Sequence, residues 1–222
     1  MAYRQTANVL RKLAEREDAI LDAARSAAEE GGMNAVQIVP VAQRAGIAAG
    51  TVYRYFPAKT DLVAQLAAAV SARELAAMRD AADAAPGPLS ALAAAIVTFA
   101  ARALAHRRLA FAVIAEPVEA EIDAARAGFR NALAAELAAR IAAAIAGGHL
   151  PEQDAATAAA AVLGALTEGL IGPLAPPSPP DAAQAREAVQ ERALFALRAL
   201  GVVDAHARGL VAHAALPLPS FG

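Results

Sequence analysis

Cysteine and tryptophan are absent from these 222 residues, and lysine occurs only at Lys12 and Lys59. Without cysteine there is no disulfide framework, no thiolate metal site and no thiol nucleophile. Aromatics are scarce (three tyrosines and six phenylalanines), and no stretch shows the alternation of a strand. A membrane span needs about 20 nearly uninterrupted apolar residues. The most apolar late run, "AAAAVLGALTEGLIGPL", is broken by Glu168, three glycines and Pro173. It reads as a buried helix. The opening "MAYRQTANVLRKLAERED" is charged and lacks the apolar centre of a secretory signal, so the expected location is the cytoplasm, with no membrane partner.

Catalytic groupings are missing as well. His106, His149, His206 and His213 are scattered without ligand spacing, and no serine sits in a nucleophile elbow. No glycine-rich phosphate loop appears. The expectation is no enzyme, no metal and no cofactor.

What is present is alanine, with leucine, glutamate and arginine, a composition that favours helix throughout. Glycine and proline divide the chain. They predict helices over 8–30, 39–45, 49–56, 59–82, 89–106, 109–115, 118–146, 152–171 and 181–200. The first should turn Leu13, Ile20, Leu21 and Ala24 to one face. The "PPSPP" at 176–180 should form a stiff connector, and the tail after Gly201, with Pro217 and Pro219, should fray. The net charge of −2 divides unevenly: residues 1–60 hold eight Lys/Arg against six acids, a +2 segment on a −4 remainder.

The stretch "GIAAGTVYRYFPAK", residues 46–59, gathers two of the three tyrosines and one of the two lysines. Two short helices joined at Gly46 describe a helix-turn-helix. Val41, Ala42, Ala45, Val52 and Phe56 would face inward, leaving Thr51, Tyr53, Arg54 and Tyr55 to project elsewhere. Ala48, Ala49 and Gly50 leave the tip of the second helix bare, open to close approach by a phosphate or a groove wall. Lys59 opens a helix, where the macrodipole disfavours a cation by about 0.3–1 kcal/mol. An external anion would relieve that cost.

Residues 19–66 resemble the N-terminal DNA-binding domain of the TetR/AcrR family of transcriptional regulators. "ILDAA", Gly32, "VAQRAG", "GTVYRYF" and Lys59 carry the resemblance, in the family's order and spacing. It implies an all-α protein: a three-helix DNA-binding domain at 1–58, a helical ligand-binding and dimerisation domain at 59–201, and a tail at 202–222. It implies that Ala49, Gly50, Thr51 and Tyr53 meet the major groove, with Tyr53, Arg54, Tyr55 and Lys59 on phosphates. Gln37 stands where the family usually has a Thr or Ser that caps the second helix and touches phosphate. The chain also departs from the pattern at Ala28, in place of a core phenylalanine, at the apolar run Ile38, Val39 and Pro40, and at Ala48, in place of a serine.

In the body, Met78, Phe99, Phe111 and Phe129 are the bulky groups and could line an effector pocket, with Glu168 pointing into it or across an interface. Small-residue faces (Ala158, Ala161, Gly164 and Ala165; Ala185, Val189, Ala193 and Leu197) suit a homodimer through helices 152–171 and 181–200. The function expected is a ligand-responsive regulator, chiefly a repressor, with a double-stranded DNA operator and a small-molecule effector as partners. The alternative is a helical small-molecule-binding protein with weakened or lost DNA binding.

Overall fold

The computed structural model describes residues 2–118 and 120–215, which form ten α-helices and no strand. Helix α1 (Ala2–Gly31) leads into a 3-10 turn, then α2 (Ile38–Arg44), α3 (Ala49–Tyr55) and α4 (Lys59–Asp83). The body follows as α5 (Pro88–Ala105), α6 (Arg107–Ile114), α7 (Ala120–Ala146), α8 (Ala155–Leu170), α9 (Ala182–Ala199) and α10 (Asp204–His213). The predicted helices stand within three residues of their expected limits, because glycine and proline mark most ends, except that α1 starts at Ala2 rather than at residue 8.

In the head, Ile20, Ala24 and Ala28 recur at four-residue spacing on α1 and are fully buried. Ala28 therefore holds a true core position with a small side chain. Leu13 does not join them; it lies 42% exposed, on a part of α1 that stands clear of the head. Val41, Ala42, Val52 and Phe56 close the small core, with Leu62, Val63 and Leu66 from the start of α4.

The turn between α2 and α3 is a Schellman closure. Gly46, at φ 67°, donates its N–H to the Gln43 carbonyl (3.1 Å), and the Ile47 N–H reaches back to Ala42 (3.0 Å). Glu30 then ties α1 to the end of α2 by accepting both terminal nitrogens of Arg44 (2.7 and 2.6 Å), which holds its carboxyl below the ordinary range.

The body is built around α5. Proline at its first position suits a helix start, and Leu92, Ile96, Val97 and Ala100 are fully buried against α4, α7 and α9. This helix is long and apolar enough to cross a membrane, yet here it is the central core helix. Alanine-rich faces pack closely but each buries little area, and ion pairs supplement them. Glu136 of α7 accepts from Arg79 of α4 (2.8 Å) and Arg140 (2.9 Å), and Arg140 also meets Asp83 (2.8 Å). Burial pushes the Glu136 carboxyl up, but the hydrogen bonds from Arg79 and Arg140 outweigh it and leave the pKa below the ordinary value. Its contribution is present above the unfolded carboxylate's pKa and disappears as pH falls through the lowered one.

Two expectations need correction. The segment after Gly201 does not fray at once: α10 buries Ala207 and Val211 against the body, and Asp204 binds Arg198 and Arg208. Pro217 and Pro219 lie outside the described residues. On α9, the face of Ala185, Val189, Ala193 and Leu197 is fully buried within the chain, so it is unavailable to a partner. The opposite side carries Phe195, 60% exposed, beside Ala161 and Ala165 of α8 in a surface groove of about 470 Å³.

Candidate functional site

Helix α3 presents its residues in the division the sequence suggested. Val52 and Phe56 anchor it, while Tyr53 stands 51% exposed with Arg54 beside it. Thr51 and Ala49 are half-buried, and Gly50 is exposed with open space where a β-carbon would stand. No side chain caps the first amides of α3, since Ala48 has none to offer. Among the described residues, nothing covers the exposed Gly50 at this tip.

Around it the placements vary. Lys59 opens α4 half-buried and forms no ion pair among the described residues. Asp61 caps the same turn by accepting the Ala58 N–H (2.9 Å). Gln37 precedes α2, but its Nε2 donates back to the Asn34 carbonyl (3.0 Å) rather than serving the amides of α2. Tyr55 differs from expectation: its hydroxyl is buried and makes no hydrogen bond within the molecule, which is not the posture of a phosphate ligand. Ile38 belongs to the core, whereas Val39 and Pro40 are the apolar residues left facing outward.

The expected pocket residues separate. Phe99 and Phe129 line one cavity of about 30 Å³, room for a single water, between α4, α5, α6 and α7. Met78 is fully buried core and Phe111 lies outside the cavity, beneath the Arg108 guanidinium at 5.8 Å. Glu168 neither enters the cavity nor waits for a partner. Its Oε1 accepts the Leu174 N–H (2.8 Å) and so closes the turn after α8.

The charged wall of this cavity was not anticipated. Glu74 of α4 accepts Nε and Nη2 of Arg102 of α5 (2.6 and 2.8 Å), a bidentate pair that raises the arginine's pKa. His106 completes the wall, its Nδ1 3.2 Å from Glu29 at the end of α1.

One turn further along α6 lies a buried junction between head and body. Glu116, 8% exposed, accepts the Met33 N–H (2.8 Å) and the Arg108 guanidinium (2.6 Å), and Arg108 also donates to the Gly31 carbonyl (3.1 Å). Gly32 sits between them at φ 74°, where a β-carbon would overlap Arg108. Arg126 and Arg130 of α7 donate to the Ala112 and Ile114 carbonyls (2.8 and 3.1 Å), holding the C-terminal end of α6. The same short helix thus lines the cavity and grips the head. Spacing could not reveal a pair 83 residues apart; the only local sign is charge at both ends of an otherwise apolar helix, "HRR" across its start and Glu116 after its end.

Residues 20–66 match the model of bacterial regulatory proteins of the tetR family. The HTH-type transcriptional repressor KstR of Mycolicibacterium smegmatis is 53% identical over 49 residues, which is 22% of this chain and 24% of that protein. KstR of Rhodococcus jostii is 53% identical over 49 residues, 22% and 23% of the two chains. The matched segment spans about a quarter of the length of these curated relatives. Among solved structures, RolR in complex with resorcinol aligns with a TM-score of 0.63 at 20% identity, over 96% of this chain and all of that one. The transcriptional regulator FadR from Bacillus subtilis, in complex with stearoyl-CoA, aligns at 0.67 and 18% identity over 83% of this chain and 98% of that one. At these identities the structural likeness is one of fold.

Proposed function

We propose that this chain is a transcriptional regulator of the TetR/AcrR family, and that it is a cytoplasmic, ligand-responsive repressor binding a palindromic operator as a homodimer. The observation that carries the reading is the tip of α3, where Ala48 and Gly50 are small, exposed and without a side-chain partner among the described residues. That the KstR relatives are repressors supports the direction of control.

In this reading residues 1–58 form the reading head and 59–201 the ligand-binding and dimerising body. Ala49, Gly50, Thr51 and Tyr53 meet the major groove, and Tyr53, Arg54 and Lys59 hold phosphates. Backbone contacts set register while base-edge contacts set sequence. Gln37 adds a contact only by releasing Asn34, and Tyr55 only by leaving its buried position. The effector enters the cavity beside Phe99 and Phe129. A cavity this small admits a ligand only by displacing its walls, and two of those walls, α4 and α6, lead to the head. Half-sites one helical turn apart, about 34–36 Å, tolerate little change in spacing between two heads.

Selection of bound DNA from random duplexes tests the core of the proposal. Enrichment of an inverted repeat with half-sites one turn apart supports it. No enrichment supports instead a helical ligand-binding protein that has lost DNA binding.

The dimer surface assigned is the α8–α9 groove around Phe195. Phe195→Asp should shift sedimentation from dimer to monomer and weaken operator binding by at least about tenfold, since aromatic anchors dominate interface energetics. A dimer unchanged by this substitution would move the interface elsewhere.

A further inference from the structure

The charge balance of the cavity wall says more about its ligand than its size does. Glu74 and Arg102 neutralise each other through two hydrogen bonds, of 2.6 and 2.8 Å, with both side chains largely withdrawn from water. Behind His106, Glu29 is matched in turn by Arg25, at 3.1 Å. Two carboxylates thus face two guanidinium groups. A ligand bearing a net charge would add a fifth, uncompensated charge to a half-desolvated site, or would have to break the Glu74–Arg102 pair to find a partner.

The hydrogen-bonding capacity left over has a definite sense. Nδ1 of His106 stands 3.2 Å from Glu29 Oε1, a charge-range contact without hydrogen-bond geometry, so the acceptor capacity of the wall lies on Glu74. The Glu74 carboxylate has about four lone-pair sites, of which Arg102 occupies two. The wall therefore offers acceptors to a donor, while Phe99, Phe129 and the aliphatic side chains of α6 supply the remainder.

We infer that the effector is an uncharged, largely hydrocarbon molecule carrying a hydroxyl group, whose O–H is donated to the Glu74 carboxylate. The inference rests on the reading that this cavity is the effector site. Glu74 then sets specificity: as a carboxylate it keeps Arg102 occupied and repels an acid.

The test is a matched pair of probes, para-propylphenol and para-propylbenzoate, titrated calorimetrically into the full-length protein near pH 7.5. The phenol should bind at least tenfold more tightly. In Glu74→Gln, which releases Arg102, the preference should reverse. Equal or tighter binding of the benzoate by the parent protein overturns the inference while leaving the cavity as the effector site. A parent protein silent to both probes is then compared with Phe129→Ala, which enlarges the cavity. Preference for the phenol there sustains the inference, and preference for the benzoate overturns it. Silence of both proteins removes the cavity reading, and the inference with it.

Discussion

Gly50→Glu should leave the protein as stable as the parent and reduce operator binding by at least about 100-fold. Gly50 is the second residue of a helix, exposed, with no atom within 4 Å of where a β-carbon would lie. Glycine there costs about 0.8–1 kcal/mol of helix propensity relative to alanine. No contact inside the chain recovers that cost. Gly50→Ala should accordingly raise the melting temperature by about 2–4 °C, the shift expected for about 1 kcal/mol in a domain of this size. Glutamate in the first turn is likewise compatible with the helix dipole. Against DNA the same side chain fills the gap through which α3 approaches the groove and sets a carboxylate among phosphates. A loss of two decades corresponds to about 2.8 kcal/mol at 1.4 kcal/mol per tenfold change. Circular dichroism melting and a fluorescence-anisotropy titration on the selected operator separate the two effects. Gly50→Glu bound within threefold of the parent would show that α3 does not read the groove.

The second large effect belongs to the junction between Gly32 and Glu116. Gly32→Ala places a methyl group where Arg108 lies and strains a residue held at φ 74°. Glu116→Ala removes the acceptor of the buried Met33 N–H and the partner of Arg108. An unsatisfied buried donor costs about 1–3 kcal/mol. Arg108 is partly exposed and recovers water, so the expected loss is about 2–3 kcal/mol, or about 4–12 °C in melting temperature at 2–4 °C per kcal/mol. Glu116→Gln keeps an acceptor for Met33 and should lose less than half as much. The functional signature differs from that of the Gly50 variants. Below its melting temperature Glu116→Ala should bind operator within a few-fold of the parent but lose most of its release by effector, because α6 no longer carries the head with it, whereas Glu116→Gln should keep most of that release. Full release by effector in Glu116→Ala, measured in the same anisotropy assay, would remove the junction from the coupling path.

Much of the fold was legible because punctuation was cheap to read. Gly46, Pro57, Pro86, Pro88 and the Gly147-Gly148 pair each end or begin a helix where local backbone chemistry demands it. The inward set of the head was legible too, since Val52 and Phe56 are large residues four apart in a segment short of them. Faces were harder. On α9 both sides carry alanine, so the stripe of Ala185, Val189, Ala193 and Leu197 looked as suitable for a partner as for the core, and only the fold shows that it faces inward while Phe195 faces out. Glu168 looked like an apolar helix's misplaced charge, yet its role is local, on the Leu174 amide. The cavity wall and the Glu116 junction depend on pairs from different helices, which no periodicity reports.

Helix α4 belongs to two cores at once: Leu62, Val63 and Leu66 complete the head, while Met78 and Ala82 lie in the body. Anyone grafting this reading head onto a different sensor has to respect that ownership. A junction cut at the formal boundary after residue 58 would strip the donor module of its floor, whereas one placed beyond Ala67 would keep that floor and leave the Met33 amide to find a new acceptor in place of Glu116. The border of the portable unit runs through the middle of a helix, not through a linker.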